Sequence, residues 1–320
     1  MTTHVLSLQS INLRGSFSST YTPAAVMASG DTLQTTTPDI EWGYSGKENE
    51  PYQIYQPASE EPAPKHPVIG PVYIQEAEPG MTVEVHIKRL VPGWYGRNWA
   101  GGASSWQNDA MHLSGSERIQ VDWRLDRKNS TASAMFGNFK YSIPLRPFLG
   151  LIGLQPPGNE VYPTPPPYFT GGNIDCRELT EGSRLFLPVA VSGGALYIGD
   201  GHAAQGDGEV SGTAVECPMD EVEIKVTLHK DMEIAQPYAE TPSGLLTFGF
   251  DKDLNTAASS ALEDLIGKIS SRYGLKPQEA AALASAAADL HITQVVNGVK
   301  GVHAILHHHL ITTQLEEENR

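Results

Sequence analysis

The sequence predicts a mainly β protein, with antiparallel sheets arranged as a sandwich or barrel and a small α+β portion at the C-terminal end. Apolar and polar residues alternate with a period of two in several segments. The 320 residues include 31 glycines and 23 prolines, which suits many short strands joined by turns better than a helical bundle. Helical patterns appear only after residue 254.

Three segments carry the β prediction: residues 82–88, 119–125 and 222–229. Because successive side chains of a strand point to opposite faces, each segment is expected to bury one face and expose the other. This is typical of antiparallel sheets packed on one side. The apolar positions are Val83, Val85 and Ile87, then Ile119, Val121, Trp123 and Leu125, then Val222, Ile224, Val226 and Leu228.

A glycine- and proline-rich tract, residues 149–172, lies between the second and third of these segments. Its run from Pro163 to Pro167 excludes a helix, because proline removes a backbone donor and clashes with the preceding turn. We predict a structured loop near a functional site, with a passive connector as the alternative.

Helices are predicted only near the C-terminal end. The first covers residues 257–273, with Asn255 or Thr256 as its cap and Gly274 as its end. The second begins at Pro277, a residue suited to the first turn, and continues through Ala288.

A strand pair follows these helices, at residues 292–296 and 302–306, around the turn Asn297-Gly298. The sequence therefore predicts two parts. Residues 1–250 form a β-rich catalytic body that carries a Gly-Asp-x-His loop, and residues 251–320 form a smaller α+β portion.

Composition limits the partners and the compartment. The net charge is −15, and lysine and arginine do not cluster, so nucleic acid is not an expected partner. Two cysteines, Cys176 and Cys217, make no disulfide framework. The first residues lack the pattern of a signal peptide, and no segment approaches ~20 apolar residues. We expect a soluble cytoplasmic protein without a membrane partner.

Residues that chemistry can use concentrate in two glycine-rich stretches, residues 171–176 and 199–209, with Glu216 after them. Glycines allow a positive φ and close approach to a ligand. Carboxylates and imidazoles bind Zn²⁺ or Ca²⁺, and a bound metal would polarise an amide carbonyl and acidify water. Four such side chains lie within the second stretch: Asp200, His202, Asp207 and Glu209.

Tight turns are the alternative interpretation of these stretches. Glycine, aspartate and asparagine are the ordinary residues of turns, and His202 could be a hydrogen-bonded turn residue. The density of acidic and histidine residues favours a site, although their spacing does not fit an EF-hand.

Two motifs identify a family resemblance. Gly-Gly-Asn-Ile-Asp at residues 171–175 and Gly-Asp-Gly-His-Ala-Ala-Gln-Gly-Asp-Gly-Glu at residues 199–209 resemble the signature of the acetamidase/formamidase family. His-Pro-Val-Ile-Gly-Pro from residue 66 and Ala-Glu-Pro-Gly from residue 77 are also similar to family segments. So are Leu-Phe-Leu-Pro-Val from residue 185 and Ile-Thr-Gln-Val-Val from residue 292.

The resemblance implies an amidase that hydrolyses formamide, acetamide or similar short aliphatic amides to the acid and ammonia. It also implies a mainly β fold and a homo-oligomer. The chain departs from the family at Met81, where aspartate is usual, and at Gln75 and Glu76, where glutamate and glycine are common. These departures put the substrate range in question more than the reaction type.

The matching motif positions suggest roles for individual residues. The predicted ligands of a divalent metal, with zinc favoured over calcium, are His66, Asp175, Asp200 and His202, with Asp39 as an additional candidate. Glu209 is the predicted general acid or base, with Asp207 as the next candidate. A structural carboxylate that caps glycine amides is the alternative for Glu209. Asn173 would donate to the oxyanion or occupy a left-handed turn.

Other mechanisms and functions stay open at this stage. Cys176 is a rival nucleophile, although a thiolate needs a nearby base or cation, and a buried small apolar residue is the alternative. The chain could instead be a metal-stabilised β-sandwich that binds a small ligand without catalysis. A third hypothesis is an enzyme of the same fold that acts on a larger amide.

Overall fold

The computed structural model describes residues 1–58 and 65–310. Strands hold 43% of the residues and helices 14%, which confirms the mainly β class. Within the described ranges, each helix is too short or too polar to cross a membrane. The strands are β1 (Thr3–Leu6), β2 (Leu13–Arg14), β3 (Ser16–Phe17), β4 (Ala25–Met27), β5 (Thr32–Thr37), β6 (Gly43–Tyr44), β7 (Gln53–Ile54), β8 (Val68–Ile74), β9 (Thr82–Pro92), β10 (Tyr95–Ala100), β11 (Ile119–Asp126), β12 (Thr131–Phe136), β13 (Phe139–Pro144), β14 (Phe148–Leu154), β15 (Tyr162–Pro163), β16 (Pro167–Tyr168), β17 (Gly171–Asn173), β18 (Arg184–Pro188), β19 (Leu196–His202), β20 (Met219–His229), β21 (Tyr238–Glu240), β22 (Gly244–Asp251), β23 (Ala288–Gln294) and β24 (Lys300–His307). The helices are α1 (Trp106–Ala110), α2 (Leu254–Tyr273) and α3 (Pro277–Ala287).

The largest sheet has nine strands in the order β1-β5-β20-β9-β18-β21-β22-β24-β23. Its strand β20 shows the predicted alternation, because Val222, Ile224 and Val226 are fully buried while Glu223 and Lys225 remain partly exposed. Because successive side chains point to opposite faces, this alternation places one face of the strand in the core.

The prediction of one exposed face was wrong for part of β9. Val83 and Val85 are buried as expected, but Glu84 on the opposite face is only 5% exposed. Its carboxylate accepts from Arg184 at 2.7 Å and lies 2.8 Å from His229 Nε2. Strands β18 and β20 flank β9, and their long side chains cover and pair this carboxylate.

Strand β11 also follows its predicted pattern only in part. Trp123 and Leu125 are buried, whereas Ile119 is 55% exposed and Val121 half-buried. The strand belongs to a separate antiparallel sheet, β10-β11-β12-β13, and only one end of it reaches the core. Residues at the other end pair with β10 but remain more exposed.

A third sheet has the order β16-β17-β14-β19-β8-β2, with β4 parallel to β8. Every residue of β14 and β19 is buried. The prediction of a loop over residues 149–172 was therefore wrong at its start. Residues 149–154 belong to β14, because Leu149, Leu151 and Ile152 fit a strand that is covered on both faces.

The C-terminal helices lie close to their predicted positions. Helix α2 ends at Gly274, whose φ of +67° is the left-handed conformation expected of a glycine cap. Its N-terminal cap is Asp253, which accepts from the Thr256 backbone N–H at 2.9 Å, so the expected caps Asn255 and Thr256 lie two and three residues too late. Helix α3 begins at Pro277, as predicted.

The strand pair after these helices turns at Asn297-Gly298, and its first strand begins at Ala288 rather than at residue 292. Strand β24 also pairs with β22, so both strands extend the nine-stranded sheet. The division of the chain at residue 250 stays a prediction, and residues 311–320 lie outside the described part.

Candidate active site

The predicted Gly-Asp-x-His motif is the end of β19, in the middle of the third sheet. Asp200 and His202 are two positions apart in this strand, so their side chains share a face. Gly150 of the neighbouring strand β14 lies against them. A Cβ at position 150 would lie 2.6 Å from Asp200 Oδ2 and 2.7 Å from Asp175 Oδ1, so only glycine leaves room for these carboxylates.

Five side chains meet above Gly150. Ligand atoms of Asp175, Asp200 and His202 lie within 4.8 Å of one another, and so do ligand atoms of His202, Glu209 and Glu216. We call these five residues the acid–histidine cluster. Each of them is at most 6% exposed. The structure therefore brings together four of the predicted site residues, and it adds Glu216.

Three carboxylates of the cluster stand on strained backbone. The φ angle is +53° at Asp175, +58° at Asp200 and +45° at Glu209, all in the left-handed region. This conformation costs on the order of 1–3 kcal/mol at a residue other than glycine. Such strain persists only where the surrounding structure enforces it, and it occurs preferentially at functional sites.

The cluster contains buried polar atoms that make no hydrogen bond within the described residues. Burying such groups without a partner destabilises a fold by about 1–3 kcal/mol each, and more for charged groups. Their convergence on one point indicates a place for a ligand rather than a turn. The atoms are Asp175 Oδ1, Asp200 Oδ1 and Glu209 Oε2, together with His202 Nε2 and Glu216 Oε2, which lie 3.1 Å apart as an ion-pair contact.

Gln205 sets the orientation of His202. Its Nε2 donates to the Asp175 backbone carbonyl at 2.8 Å, which turns its Oε1 toward His202 Nδ1 at 3.0 Å. The imidazole therefore donates from Nδ1, and Nε2 faces the carboxylates, 3.1 Å from Glu216 Oε2 and 3.3 Å from Asp200 Oδ2. A neutral imidazole in this tautomer presents its Nε2 lone pair to a metal.

The protonation of the cluster follows from its burial and its charges. Burial raises the pKa of Asp175 and Glu209 well above their ordinary values, and neighbouring carboxylates raise both further. Burial opposes the charge on His202, but Glu216 and Asp200 overcome it and raise the pKa of the imidazole. For Asp200 burial is outweighed by His202 and His66, so its pKa falls to about 2.

These residues fit a divalent cation. Four carboxylates and one imidazole nitrogen are oxygen and nitrogen donors of the kind that Zn²⁺ accepts, and Ca²⁺ would use the oxygens alone. Without a cation, the raised pKa values of Asp175, Glu209 and the His202 imidazole favour bound protons, which reduce the crowded negative charge. A cation would replace those protons and occupy the unpartnered atoms.

His66 and Asn173 lie at the edge of the cluster. His66 precedes β8, which pairs with β19 through Val68 and Gly199, and its Nδ1 is a buried atom without a hydrogen bond among the described residues. Asn173 donates from Nδ2 to Asp175 Oδ2 at 3.0 Å. Nδ2 also donates to the Pro165 carbonyl at 3.2 Å, so both amide hydrogens have partners, which argues against the predicted role as an oxyanion donor.

Asp39 lies outside the cluster. Its carboxylate is fully buried and accepts from the hydroxyls of Tyr52 at 3.0 Å and Tyr95 at 2.9 Å. Arg97 Nη2 lies 3.4 Å from the same oxygen. These partners satisfy the carboxylate, so the structure does not support Asp39 as a metal ligand.

Asp207 also has other partners. Its Oδ2 lies 2.9 Å from Arg177 Nη2 and 2.9 Å from His291 Nδ1, and we call these three residues the Asp207 triad. All three side chains are between 23% and 33% exposed. The triad holds the loop that carries Glu209, and Asp207 belongs to neither ligand group of the cluster.

The predicted rival nucleophile, Cys176, is fully buried. Burial raises the pKa of its thiol, and its Sγ lies 3.9 Å from His303 Nδ1. His303 Nδ1 lies 2.8 Å from Thr293 Oγ1, and burial lowers the pKa of this imidazole to about 3. The neutral histidine provides no charge that would stabilise a thiolate.

Sequence reasoning assigned no role to Glu216 or Asn297. Glu216 reaches the cluster because its backbone bridges both His202 and Arg97. Asn297 was expected only as a turn residue, but its Nδ2 donates to Asp175 Oδ2 at 2.9 Å. An Asn-Gly turn is a signal for a hairpin, and nothing in its pattern shows which carboxylate the side chain will meet.

A pocket of about 450 Å³ opens beside Glu209. We call it the Glu209 pocket. A larger cleft of about 770 Å³ lies between the β10–β13 sheet and the loop around Tyr52, but no residue of the acid–histidine cluster lines it. The smaller pocket is therefore the candidate access route.

Comparison with known proteins points to one family. The model of the "Acetamidase/Formamidase family" matches residues 154–306. Over these residues the match supports the family resemblance that was predicted from the motifs. A formamidase from Methylophilus methylotrophus is 46% identical over 68 residues, which are 21% of this chain and 17% of that protein. An acetamidase from Mycolicibacterium smegmatis is 48% identical over 58 residues, 18% of this chain and 14% of the relative.

Solved structures extend the similarity of fold to almost the whole chain. An acetamidase from Bacillus halodurans has a TM-score of 0.79 at 26% identity and covers 95% of this chain and 98% of its own. An acetamidase from Yersinia enterocolitica has a TM-score of 0.81 at 26% identity, covering 97% and 93%. The matches to the curated family members span less than a fifth of their length.

Proposed function

We propose that this protein is an amidase that hydrolyses the C–N bond of linear carboxamides to a carboxylate and ammonia, with a divalent metal ion at the acid–histidine cluster. One observation carries the proposal: five buried ligand side chains converge with unpartnered atoms beside a pocket. The match to the acetamidase/formamidase family supplies the reaction class, and formamide and acetamide are the simplest substrates of that class.

Asp175, Asp200, His202 and Glu216 would hold the ion, with His66 close to Asp200. We propose zinc before calcium, because an imidazole nitrogen is among the donors. When bound, the ion would polarise the amide carbonyl and lower the pKa of the attacking water. Gln205 would keep Nε2 of His202 available to the ion through its contact with Nδ1, and Asn173 would fix the carboxylate of Asp175 through its hydrogen bond to Oδ2.

Glu209 is the proposed proton carrier, because it is the only member of the cluster that also lines the pocket. Its carboxylate takes a proton from water as the oxygen bonds to the acyl carbon. The same proton passes to the nitrogen as the C–N bond breaks, which releases ammonia. Burial raises the pKa of Glu209, which favours a carboxyl group that can hold the proton between the two steps.

Ammonia release from formamide, acetamide, propionamide and urea, with and without a chelator, tests the proposal. We expect ammonia from the carboxamides, loss of activity with the chelator and recovery with added zinc. The absence of ammonia from every amide, in a protein that retains metal, would instead support the alternative of a ligand-binding β-sandwich.

We also propose a homo-oligomer in the cytoplasm, as the family resemblance implies. The hairpin of β12 and β13 supports an interface, because Met135, Phe136, Phe139 and Tyr141 are each at least 43% exposed. Light scattering of the protein and of a Phe139→Ser variant would measure the subunit count and test this surface.

A further inference from the structure

The Glu209 pocket is large for the simplest amides. Its volume of about 450 Å³ corresponds to about fifteen waters, at about 30 Å³ each. Formamide and acetamide have three and four non-hydrogen atoms and would leave most of this space to solvent. Pockets of ~300–1,000 Å³ commonly bind much larger ligands.

We infer that the site selects amides whose acyl group is an uncharged apolar chain or ring several carbons longer than acetyl. This inference rests on the proposed amidase function and names the substrate class of the same site. It follows from the lining of the pocket and from the position of Glu209 within it.

Four large apolar side chains line the pocket, and we call them its apolar wall. Trp123 of β11 and Ile143 of β13 come from the small four-stranded sheet, and Val210 and Val215 come from the segment that carries Glu209. Trp123 and Val215 are at most 7% exposed, whereas Val210 is 63% exposed at the rim. An acyl chain bound along this wall would cover apolar surface that water now contacts.

The polar side chains of the lining are largely paired within the protein. Asn98 Oδ1 accepts from Trp123 Nε1 at 2.9 Å, and Thr213 Oγ1 accepts from the backbone N–H of Trp99 at 3.2 Å. These two oxygen atoms are therefore already hydrogen-bonded within the protein. The acyl portion of the ligand would meet the apolar side chains and these paired oxygens.

The two guanidinium groups of the lining are already neutralised. Arg146 Nη2 bonds to Glu178, and Arg177 Nη2 lies 2.9 Å from Asp207 Oδ2. A carboxylate on the substrate would have to compete with these partners, so the pocket does not favour an anionic acyl group.

We expect the polar end of the ligand to bind at buried atoms that make no hydrogen bond within the described ranges. Two such buried atoms belong to the lining, Glu209 Oε2 and Arg177 Nε. An amide group held at Glu209 directs its acyl chain away from the acid–histidine cluster and along the apolar wall. The substrate would therefore bind with its amide at the cluster and its apolar chain outside it. This orientation defines the substrate class.

The metal-loaded enzyme and a series of primary amides test this inference. We expect kcat/KM to rise about fourfold for each added methylene, and so about 10²-fold from acetamide to hexanamide. Succinamate, which carries a carboxylate on a short chain, should be a poorer substrate than pentanamide. A flat or falling series, or a preference for succinamate, would overturn the inference and leave the amidase proposal standing.

A variant at the rim of the Glu209 pocket tests whether this pocket causes the preference for longer acyl chains. Val210→Trp should fill part of the pocket and lower the ratio of kcat/KM for hexanamide to that for acetamide by at least about tenfold. Val5→Trp is the matched control, since Val5 is 71% exposed and lies in edge strand β1. It should leave the ratio unchanged.

An unchanged ratio in Val210→Trp would place the apolar selection elsewhere and contradict this inference. The amidase proposal fails separately: if neither variant nor the parent protein releases ammonia from any amide, the proposed function is wrong, and the substrate class falls with it.

Discussion

Asp200 and Asp207 belong to the same eleven-residue motif, yet the structure gives them different surroundings. Asp200 and His202 enter the acid–histidine cluster, where both are at most 2% exposed and atoms of both lack hydrogen bonds within the described residues. Asp207 joins the Asp207 triad, where Arg177 and His291 satisfy its Oδ2 and water reaches all three side chains.

The comparison shows that residue type does not separate a ligand site from a structural ion pair. The difference lies in partners and in burial. An unpaired buried carboxylate is costly unless something else binds it, whereas a paired, partly exposed carboxylate is an ordinary feature of a surface. The following predictions test this contrast, beginning with the largest expected effect.

Asp200→Asn should abolish amidase activity to the buffer background, because the amide is a poorer ligand for a cation and polarisation of the substrate is worth several kcal/mol. Asp207→Asn is the matched change in the Asp207 triad. It should lower the free energy of unfolding by at most ~1 kcal/mol and keep bound metal. The measurements are the metal stoichiometry and kcat of both variants. Equal losses of metal and activity in the two variants would contradict the contrast between the acid–histidine cluster and the Asp207 triad.

Glu209→Gln should lower kcat by ~10²–10⁴-fold and change KM little, because glutamine keeps the shape but cannot carry a proton. Folding and metal content should be preserved. The measurement combines kcat, metal stoichiometry and melting temperature on one preparation. A fall in metal content or melting temperature in proportion to activity would support the structural role, and normal turnover would remove Glu209 from the mechanism.

Asn297→Gly should weaken metal binding by about 10–100-fold, because Asp175 loses one of the two amides that orient it. Glycine is the appropriate replacement since the φ of Asn297 is +65°, which glycine adopts without strain. Titration of the metal-free protein with zinc measures the effect. Melting of the metal-free variant should change little, and an unaltered zinc affinity would limit Asn297 to its turn.

Cys176→Ala should have the smallest effect on catalysis, with kcat within about threefold of the parent protein, because the thiol is buried and its raised pKa keeps it protonated. A modest loss of stability is expected from the smaller side chain in the core. A loss of ~10³-fold in kcat in a folded variant would move the nucleophile to Cys176.

Much of the β architecture could be predicted from local pattern, and the exceptions have physical causes. Alternation located the buried face of β20, but it failed at Glu84 and Ile119 because neighbouring strands cover the first and the second lies at the more exposed end of its strand. The start of β14 was missed because a strand covered on both faces has no alternation.

The candidate site was also predictable only in part, because local pattern shows residue types but not their tertiary contacts. Residues close together in the motif, Asp200, His202 and Glu209, were identified because a dense glycine-rich run with acidic residues is visible locally. Asp39 was named on its residue type, and the structure gives it three side-chain partners instead. Whether a buried carboxylate finds hydrogen-bond partners depends on side chains that lie far away in the sequence.

The sequence by itself determined the strand-rich class, the glycine end of α2 and the motif that holds the cluster, because period, backbone propensity and short motifs are local properties. Tertiary structure alone decided which carboxylates remain unpaired. It brought Asn297 to Asp175 across 122 positions and placed Gly150 where no larger residue would fit. Those contacts arise from the register of neighbouring strands, and that register is a property of the packed sheets as a whole.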